Sequence, residues 1–449
     1  MMVDDTIAAI ATAYGTAAIA MVRISGPEAI SRFSTVFKGR DLNKVSSHTV
    51  HYGSVTTNGG DVIDDVLVTV MKAPKTYTGE DTVEVSTHGG VLVTKQVLER
   101  ILETGIRLAN PGEFTQRAFL NGKMDLVQAE SVMDVISAQS DKALKIATHG
   151  LHKDISKLIE NLRDRLLHII AGIEVNIDYP EYDDALVMSR EIVLPAVDAL
   201  ILDMDILLRE SRKNRMIKEG VKTVIVGRPN VGKSSLLNTL TDEDKAIVTD
   251  IPGTTRDTVH AFLDIRGVPL DLIDTAGIRD TEDTVEKIGV MRSRKALDEA
   301  ELVLLVLDRS VPLTEEDKTL LSLTENKRRL IILNKADLPP KTTLDETVTI
   351  STLTGTGIRT LEDAILRTLD LSDIGDRDLK FLSNDRQTDL VIKARNALKD
   401  ARAAILEDIP TDIYVTDLTD AWNRLGDILG ETPDDALLDT LFSRFCLGK

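Results

Sequence analysis

The chain has 449 residues, a formal net charge of −19 and an apolar content of 42%. This length exceeds what one hydrophobic core usually serves, and it predicts about three domains. The apolar content is ordinary for a soluble globular protein, and no stretch of about 18 consecutive apolar residues indicates a membrane span. The negative charge opposes non-specific binding to nucleic acid, so an RNA partner would need a local basic patch or the surface of another protein.

The cysteine content and the first residues bear on the compartment. The one cysteine, Cys446, excludes a disulfide within the chain and favours a reducing environment. Residues 1–5 do not show a basic region followed by an apolar one, which argues against a secretory signal. We therefore expect a cytoplasmic protein that does not bind a membrane. The locally basic stretch 209–222 is interpreted as a solvated helix end and linker.

The first half of the chain changes from a mixed to a helical pattern. Residues 1–120 combine short β-rich runs with Gly and Pro, which predicts a compact α+β N-terminal domain. Residues 121–215 are predicted to be helical. One apolar stripe at spacings of three and four residues supports this, and it consists of Leu151, Ile155, Leu158, Leu162, Leu166, Ile169 and Ile173.

The second half has a βαβ pattern followed by a helical one. Continuous apolar runs within residues 216–371 are typical of buried parallel strands, and residues 372–449 again look helical. The predicted fold is therefore multidomain, α+β and α/β. A domain with a mostly parallel sheet is inserted into a discontinuous helical domain, whose two parts are residues 121–215 and 372–449.

The sequence Gly-Arg-Pro-Asn-Val-Gly-Lys-Ser at residues 227–234 predicts a phosphate-binding loop. It follows an apolar strand and precedes a helical segment, as such a loop requires. Glycines let the backbone amides turn toward phosphate oxygens, Lys233 brings a cation to the β- and γ-phosphates, and the Ser234 hydroxyl can bind Mg²⁺. Further loop residues are expected to contact the nucleotide, namely Asn230, Val231, Gly232 and Ser235.

Two segments downstream are predicted to sense the terminal phosphate. Thr254 and Thr255 form the first, and the Thr255 hydroxyl is the expected second Mg²⁺ ligand. The second segment follows an apolar strand and contains Asp274, Thr275, Ala276 and Gly277. Its aspartate is placed for the Mg²⁺ shell, and its glycine can offer an amide to the γ-phosphate.

A fourth segment, residues 334–337, predicts that the base is guanine. A carboxylate at Asp337 can accept two hydrogen bonds from the adjacent donors of guanine, whereas adenine presents an acceptor there and would leave the carboxylate unpaired, at a cost of about 1–3 kcal/mol. Asn334 and Lys335 belong to the same segment, and Ser351, with Thr352 and Leu353 after it, is expected to contact the base through backbone N–H groups. The expected ligand is GTP, so the inserted domain is predicted to be a P-loop GTPase domain with a mostly parallel sheet.

The residue that activates water is not obvious from the sequence. Ile278 stands where small signalling GTPases carry a water-orienting Gln, and its side chain cannot hydrogen-bond water. Asn230 could help to hold a monovalent cation such as K⁺, with oxygens from Thr249, Ile251 and Thr254. A solvated Asn in a loop is the alternative.

With these motifs in place, the chain resembles the MnmE (TrmE) family of tRNA modification GTPases essentially from end to end. The segments that carry the resemblance outside the nucleotide motifs are residues 5–7, 22–26, 78–81, 88–90, 111–126 and 445–449.

The resemblance implies properties that spacing does not. Members dimerise through the N-terminal domain, which binds a folate such as 5-formyltetrahydrofolate, and the matching residues here are Arg23, Glu84, Lys123 and Lys449. Members also show K⁺-stimulated GTP hydrolysis that depends on dimerisation of the G domains, and Glu286 matches their water-orienting acid. Cys446 is either a participant in the chemistry or a small residue at a helix end.

The resemblance also implies a partner and a reaction. Together with an FAD-containing protein of the MnmG (GidA) type, the family adds an aminomethyl or carboxymethylaminomethyl group to the wobble uridine of certain tRNAs. One alternative is a ribosome-assembly GTPase, which acts as a binding switch and usually carries a basic RNA-binding domain. A second alternative makes the N-terminal domain a stand-alone folate-dependent one-carbon transferase that GTP only regulates.

Overall fold

The computed structural model describes residues 5–138, 140–178, 188–240, 261–273, 297–372, 382, 384–443 and 445–449. The chain forms two compact units. Unit 1 comprises Met1–Met133 together with Gly426–Lys449, and unit 2 comprises Asp134–Leu425.

A seven-stranded sheet forms the body of unit 1, with the strand order β3-β4-β5-β6-β2-β1-β7. Its neighbouring strands are antiparallel except for the parallel pair β1 and β7 at one edge. The strands are β1 (Ile7–Ile10), β2 (Ile19–Ser25), β3 (Phe37–Gly39), β4 (Thr49–Thr56), β5 (Val62–Met71), β6 (Thr82–His88) and β7 (Arg107–Leu108).

Alternation of side chains along the strands creates one buried face on this sheet. In β5, Val66, Val68 and Val70 are buried, whereas the intervening Leu67 is half exposed. The buried face packs against the first two helices, α1 (Ala29–Ser34) and α2 (Val91–Leu102). The predicted α+β character of this part of the chain is therefore confirmed.

Further helices of unit 1 are α3 (Glu113–Leu120), the first part of α4 (Leu126–Ser137) and, near the end of the chain, α13 (Asp435–Phe442). Phe442 and Phe445 pack with Leu126 and Ala129 in a separate small core. A side chain at Gly112 would approach the carbonyl oxygen of Phe442 to 2.6 Å, so the backbone there must be glycine for the two segments to meet.

Unit 2 contains long helices and a second sheet. The helices are α5 (Asp141–Leu151), α6 (Asp154–Asp178), α7 (Arg190–Glu219), α8 (Lys233–Leu240), α9 (Glu315–Leu323), α10 (Ile358–Thr368), α11 (Asp385–Leu406) and α12 (Thr411–Leu429), the last of which crosses the division between the units. The predicted stripe is buried on α6 from Ile155 to Ile173, although Leu158 is only half-buried and Leu151 ends the preceding helix.

The sheet of unit 2 has six strands in the order β13-β12-β11-β8-β10-β9. The strands are β8 (Val221–Val226), β9 (Ala261–Ile265), β10 (Val268–Leu272), β11 (Leu302–Asp308), β12 (Arg329–Asn334) and β13 (Thr347–Thr349). All pairs are parallel except β9 with β10, which confirms the mostly parallel sheet that the apolar runs predicted. Because β8, β11 and β12 are neighbours, the loops at their carboxyl ends share one edge of the sheet.

Residues 426–449 group with the N-terminal sheet in unit 1, and the two predicted parts of the helical domain contribute to both units. The domain boundaries expected from the sequence stay predictions. Within the described residues, no helix combines the length and apolar character that a membrane crossing needs.

Candidate functional site

The phosphate loop connects β8 to α8 and has the backbone that its glycines predict. Gly232 has φ +99°, and a side chain there would lie 2.2 Å from the Asn334 amide nitrogen. Asn230 also adopts a left-handed conformation, with φ +64°. The Lys233 ammonium donates to the carbonyl oxygens of Gly227 (2.9 Å) and Arg228 (3.0 Å), so the cation lies over the loop at the N-terminus of a helix, where anions are favoured.

Asn334, the last residue of β12, ties the phosphate loop to the loop after β13. Its side chain is 1% exposed, and its amide nitrogen donates to the Val231 carbonyl (2.9 Å) and to the Thr352 hydroxyl (3.3 Å). Its amide oxygen accepts from the Thr352 backbone nitrogen at 3.2 Å. Buried amides stabilise a loop when all their groups are paired in this way. The sequence placed Thr352 in the segment expected to contact the base, but it gave no signal for the contact between Thr352 and Asn334.

The carboxylate predicted to recognise the base is held by a serine. Ser351 donates its hydroxyl to Asp337 at 2.5 Å, and the Ala336 amide donates to the Ile350 carbonyl at 2.9 Å. Ser351 is fully buried. The sequence predicted a backbone contact from Ser351 to the base; the structure adds that its side chain orients Asp337.

A buried aspartate that the sequence analysis did not single out lies beside this loop. Asp308 ends β11 and accepts a hydrogen bond from the Lys335 ammonium at 2.7 Å. Its other oxygen accepts from the Ser310 amide (2.9 Å) and hydroxyl (2.6 Å). Burial opposes ionisation, but the bonds from Lys335 and Ser310 outweigh it and lower the pKa of Asp308.

Several predicted site residues lie outside the described part of the chain. They are Thr249, Ile251, Thr254, Thr255, Asp274, Thr275, Ala276, Gly277 and Glu286. Of the two predicted Mg²⁺ ligands, the structure describes Ser234, in the first turn of α8, and of the predicted K⁺ ligands it describes Asn230. Ser235, in the same turn of α8, is exposed. Within the described residues, no group of three or more His, Cys, Asp or Glu side chains forms a metal site.

A second cluster of charges lies in unit 1, and it contains three of the four residues that the resemblance assigned to folate. Arg23 on β2 faces Glu84 on β6 in the strand register, and its guanidinium contacts that carboxylate at 2.8 and 2.9 Å. The same guanidinium donates to the Gly448 carbonyl at 3.3 Å. Partial burial, and then the charge of Arg23, lower the pKa of the Lys449 ammonium.

Aromatic rings flank this cluster. The Arg23 guanidinium carbon lies 5.6 Å from the centre of the Tyr77 ring and 5.8 Å from that of Phe114. The Tyr77 hydroxyl is paired with that of Thr115 at 2.8 Å. Lys123, the fourth predicted residue, donates its ammonium to the Pro74 carbonyl at 2.8 Å. Cys446 is exposed.

A buried ion network in unit 1 was missed by the sequence analysis. Arg117 is 2% exposed and contacts the carboxylates of Asp5 (2.5 Å), Glu113 (2.9 Å) and Glu80 (3.2 Å). Glu80 also accepts from Ser25, two residues after Arg23, at 2.7 Å. The pair of Glu113 and Arg117, four residues apart on one helix, was the only signal in the sequence.

The fold and the loops of unit 2 together define a P-loop GTPase. A family model described as "MnmE helical domain" matches residues 126–446, and one described as "GTP-binding protein TrmE N-terminus" matches residues 6–123. The curated protein "tRNA modification GTPase MnmE" of Acholeplasma laidlawii is 57% identical over 445 residues, covering 99% of both chains. Its namesake from Bacillus subtilis is 48% identical and covers 99% of this chain and 100% of its own length. The chain belongs to the MnmE family of tRNA modification GTPases.

Solved structures give a weaker match. The G domain of the FeoB iron transporter of T. maritima is 27% identical and covers 33% of this chain and 98% of its own, with a TM-score of 0.25.

Proposed function

We propose that this chain hydrolyses GTP in order to modify the wobble uridine of certain tRNAs. It acts with an FAD-containing partner of the MnmG type and adds an aminomethyl or carboxymethylaminomethyl group. Membership of the family supports this proposal. The observation that carries the GTPase part is the carboxylate of Asp337, oriented by Ser351 in a loop that Asn334 ties to the phosphate loop. The acidic charge of the chain favours a mechanism in which the partner supplies much of the tRNA surface.

The nucleotide chemistry is assigned as follows. Lys233 neutralises the β- and γ-phosphates, Ser234 and Thr255 bind Mg²⁺, and Glu286 orients the attacking water. K⁺, held by Asn230 with Thr249, Ile251 and Thr254, supplies positive charge where developing phosphate charge is stabilised. Dimerisation of the G domains completes this arrangement. The described geometry of Asn230, an exposed loop residue with a left-handed backbone, is compatible with a ligand turned toward the nucleotide.

The folate is assigned to the Arg23 cluster in unit 1, and the association of two copies is assigned to the same N-terminal domain. Cations at Arg23 and Lys449 suit the carboxylates of a folate tail, Glu84 suits the donor edge of a pterin, and the Tyr77 and Phe114 rings suit an aromatic ligand. The half-buried position of Lys449 strengthens an ion pair that it forms with a ligand carboxylate. Lys123 belongs to this assignment through the family motif.

The proposed function also assigns a role to each domain. We assign residues 1–120 to the folate-binding and dimerisation domain, 216–371 to the G domain, and 121–215 with 372–449 to a discontinuous helical domain. A tRNA substrate and the low cysteine content favour the cytoplasm.

The decisive experiment measures modified nucleosides in tRNA from cells that lack the protein. We expect loss of the wobble modification, restored by the wild-type chain and not by Lys233→Ala. Normal tRNA with stalled ribosomal subunits would overturn the proposal in favour of a ribosome-assembly switch.

A second experiment tests the coupling. Glu286→Ala should bind GTP, hydrolyse it slowly and fail to restore the modification. If this variant modifies tRNA normally, hydrolysis does not drive the reaction. Hydrolysis should also be faster in K⁺ than in Na⁺, and equal rates in the two salts would remove the role given to Asn230.

A further inference from the structure

Asp308 holds two cations that come from two different nucleotide-binding loops. The strand register places it opposite Asn334, so its side chain lies at the edge of the sheet where the phosphate loop and the guanine loop meet. One carboxylate oxygen accepts from the Ser310 amide and hydroxyl. The other contacts the Lys335 ammonium at 2.7 Å and the Arg228 guanidinium at 3.9 Å.

The contact with Lys335 offsets a strained backbone. Lys335 has φ +66°, a left-handed conformation that is unfavourable for a residue with a side chain. This conformation reverses the chain between Asn334 and the turn that carries Asp337, and the Ala336 amide then reaches the Ile350 carbonyl. An ion pair on the Lys335 side chain therefore stabilises the turn that presents the Asp337 carboxylate.

The contact with Arg228 extends the same arrangement to the phosphate loop. Arg228 follows Gly227, and its guanidinium lies between Asp308 and Asp317, with a distance of 3.4 Å to the latter. Both aspartates are almost fully buried, at 7% and 2% exposure. Charges at such depth are strongly coupled, so removing one carboxylate disturbs both cations.

We propose that Asp308 is a positioning residue for guanine recognition, which acts by holding Lys335 and with it the turn that carries Asp337. This inference rests on the GTPase function described above. It assigns to the end of β11 a part in base discrimination that the nucleotide motifs in the sequence do not include.

The test compares GTP with inosine triphosphate, which lacks the 2-amino group that donates a hydrogen bond to Asp337 in the proposed complex. We expect Asp308→Asn to raise the dissociation constant for GTP about tenfold, because the charged hydrogen bond that holds Lys335 is weakened. The constant for inosine triphosphate should change less, so the preference for guanine falls. The kcat at saturating GTP should stay near the wild-type value. An unchanged preference for guanine would overturn the proposal.

A double-mutant cycle separates positioning from a loss of fold. In the Lys335→Met background, which keeps the aliphatic stem and removes the ammonium, Asp308→Asn should add little further loss of GTP affinity. Fully additive losses would show that Asp308 does not act through Lys335. Ser310→Ala provides a milder variant if Asp308→Asn fails to fold, and it should shift the guanine preference in the same direction.

The matched control removes an ion pair of the same unit away from the loops. Asp363 contacts Arg266 at 2.6 Å, and its side chain is about half exposed. Asp363→Asn should leave GTP affinity and the guanine preference unchanged. If Asp363→Asn lowers both as Asp308→Asn does, the effect is one of net charge, and the proposal fails. If the wild-type chain itself does not bind GTP, that result contradicts the GTPase function and not only the role of Asp308.

Discussion

The nucleotide loops of unit 2 and the Arg23 cluster of unit 1 differ in how far apart in sequence their parts lie. Lys233 bonds carbonyls five and six residues away, and most of its loop is one contiguous segment. Arg23 contacts Glu84 at a separation of 61 residues and Gly448 at a separation of 425. The phosphate-binding loop, which is one contiguous segment, can be identified from a short motif, whereas a cluster assembled from distant strands depends on the fold being complete.

The largest expected effect tests the contiguous loop. In Gly232→Ala the new side chain would meet the Asn334 amide at 2.2 Å on a backbone with φ +99°, so the loop must move and the amides lose their aim at the phosphates. We expect GTP affinity to fall about 100-fold or more, measured by titration calorimetry. Gly355→Ala is the control, because its φ is +75° but nothing lies within 4 Å. Equal losses in both variants would contradict the role of the close approach.

The next effect concerns the ion network under the Arg23 cluster. Glu113 bonds Arg107 and Arg117, and its carboxyl is nearly buried. Glu113→Gln should lower the free energy of unfolding of unit 1 by about 2–3 kcal/mol at neutral pH, since the charged hydrogen bonds weaken. Chemical denaturation measures this loss, and Glu99→Gln, at an exposed surface pair, should cost far less.

The same residue predicts an acid dependence. Burial opposes ionisation of Glu113, but bonds from Arg107, the Asn110 amide and Arg117 outweigh it and lower its pKa below 4.5. Its contribution to stability is therefore present above about pH 4.5 and is lost as the pH falls through the lowered pKa. The wild-type chain should lose stability in this range more steeply than Glu113→Gln. Parallel curves would show that Glu113 is not the titrating group.

A smaller effect tests the contact between the Arg23 cluster and Gly448 near the end of the chain. A side chain at Gly448 would lie 2.4 Å from the Ile10 carbonyl, on a backbone with φ +90°. Gly448→Ala should displace the segment that Arg23 binds and weaken 5-formyltetrahydrofolate about tenfold, as loss of one charged hydrogen bond does, with GTP affinity unchanged. Gly122→Ala, with φ +67° and open space around it, is the control. Fluorescence titration of folate measures the difference, and identical affinities would separate Gly448 from the site.

The smallest effect is a titration on the surface of unit 1. The exposed His88 ring lies 2.6 Å from the buried carboxylate of Asp64, and this hydrogen bond, then the charge of Asp64, raises the pKa of His88 above 6.5. The contact stabilises the fold at low pH and is lost as the pH rises through the raised pKa. NMR should place the midpoint above 6.5, and Asp64→Asn should lower it. A wild-type midpoint at or below 6.5 would contradict the pairing.

Much of the fold and part of the site could be predicted from the sequence, for local reasons. The strands β8, β10, β11 and β12 are continuous apolar runs, and the phosphate loop is a short motif. Both are formed by neighbouring residues, so the sequence alone identified them. Asp308 was missed because it ends an apolar run and meets Lys335, 27 residues later, only through the parallel register of β11 and β12. The contact of Arg117 with Asp5 spans 112 residues and had no signal in either segment.

The resemblance to a family supplied what local patterns could not, namely that Arg23, Glu84 and Lys449 belong together. The structure groups these three, and the assignment of a folate to them stays a prediction. The part of the site between residues 241 and 260 and between 274 and 296 lies outside the described residues, so the K⁺, Mg²⁺ and Glu286 assignments there also stay predictions.

The bond from Arg23 to Gly448 has a consequence for biosynthesis. The ribosome synthesises the strand that carries Arg23 more than four hundred residues before it adds Gly448, whose carbonyl accepts a hydrogen bond from Arg23. Throughout that interval the nascent N-terminal sheet must persist without its closing piece, while the G domain emerges and can already fold. A truncated chain would thus yield a nucleotide-binding protein whose Arg23 cluster lacks its C-terminal contact.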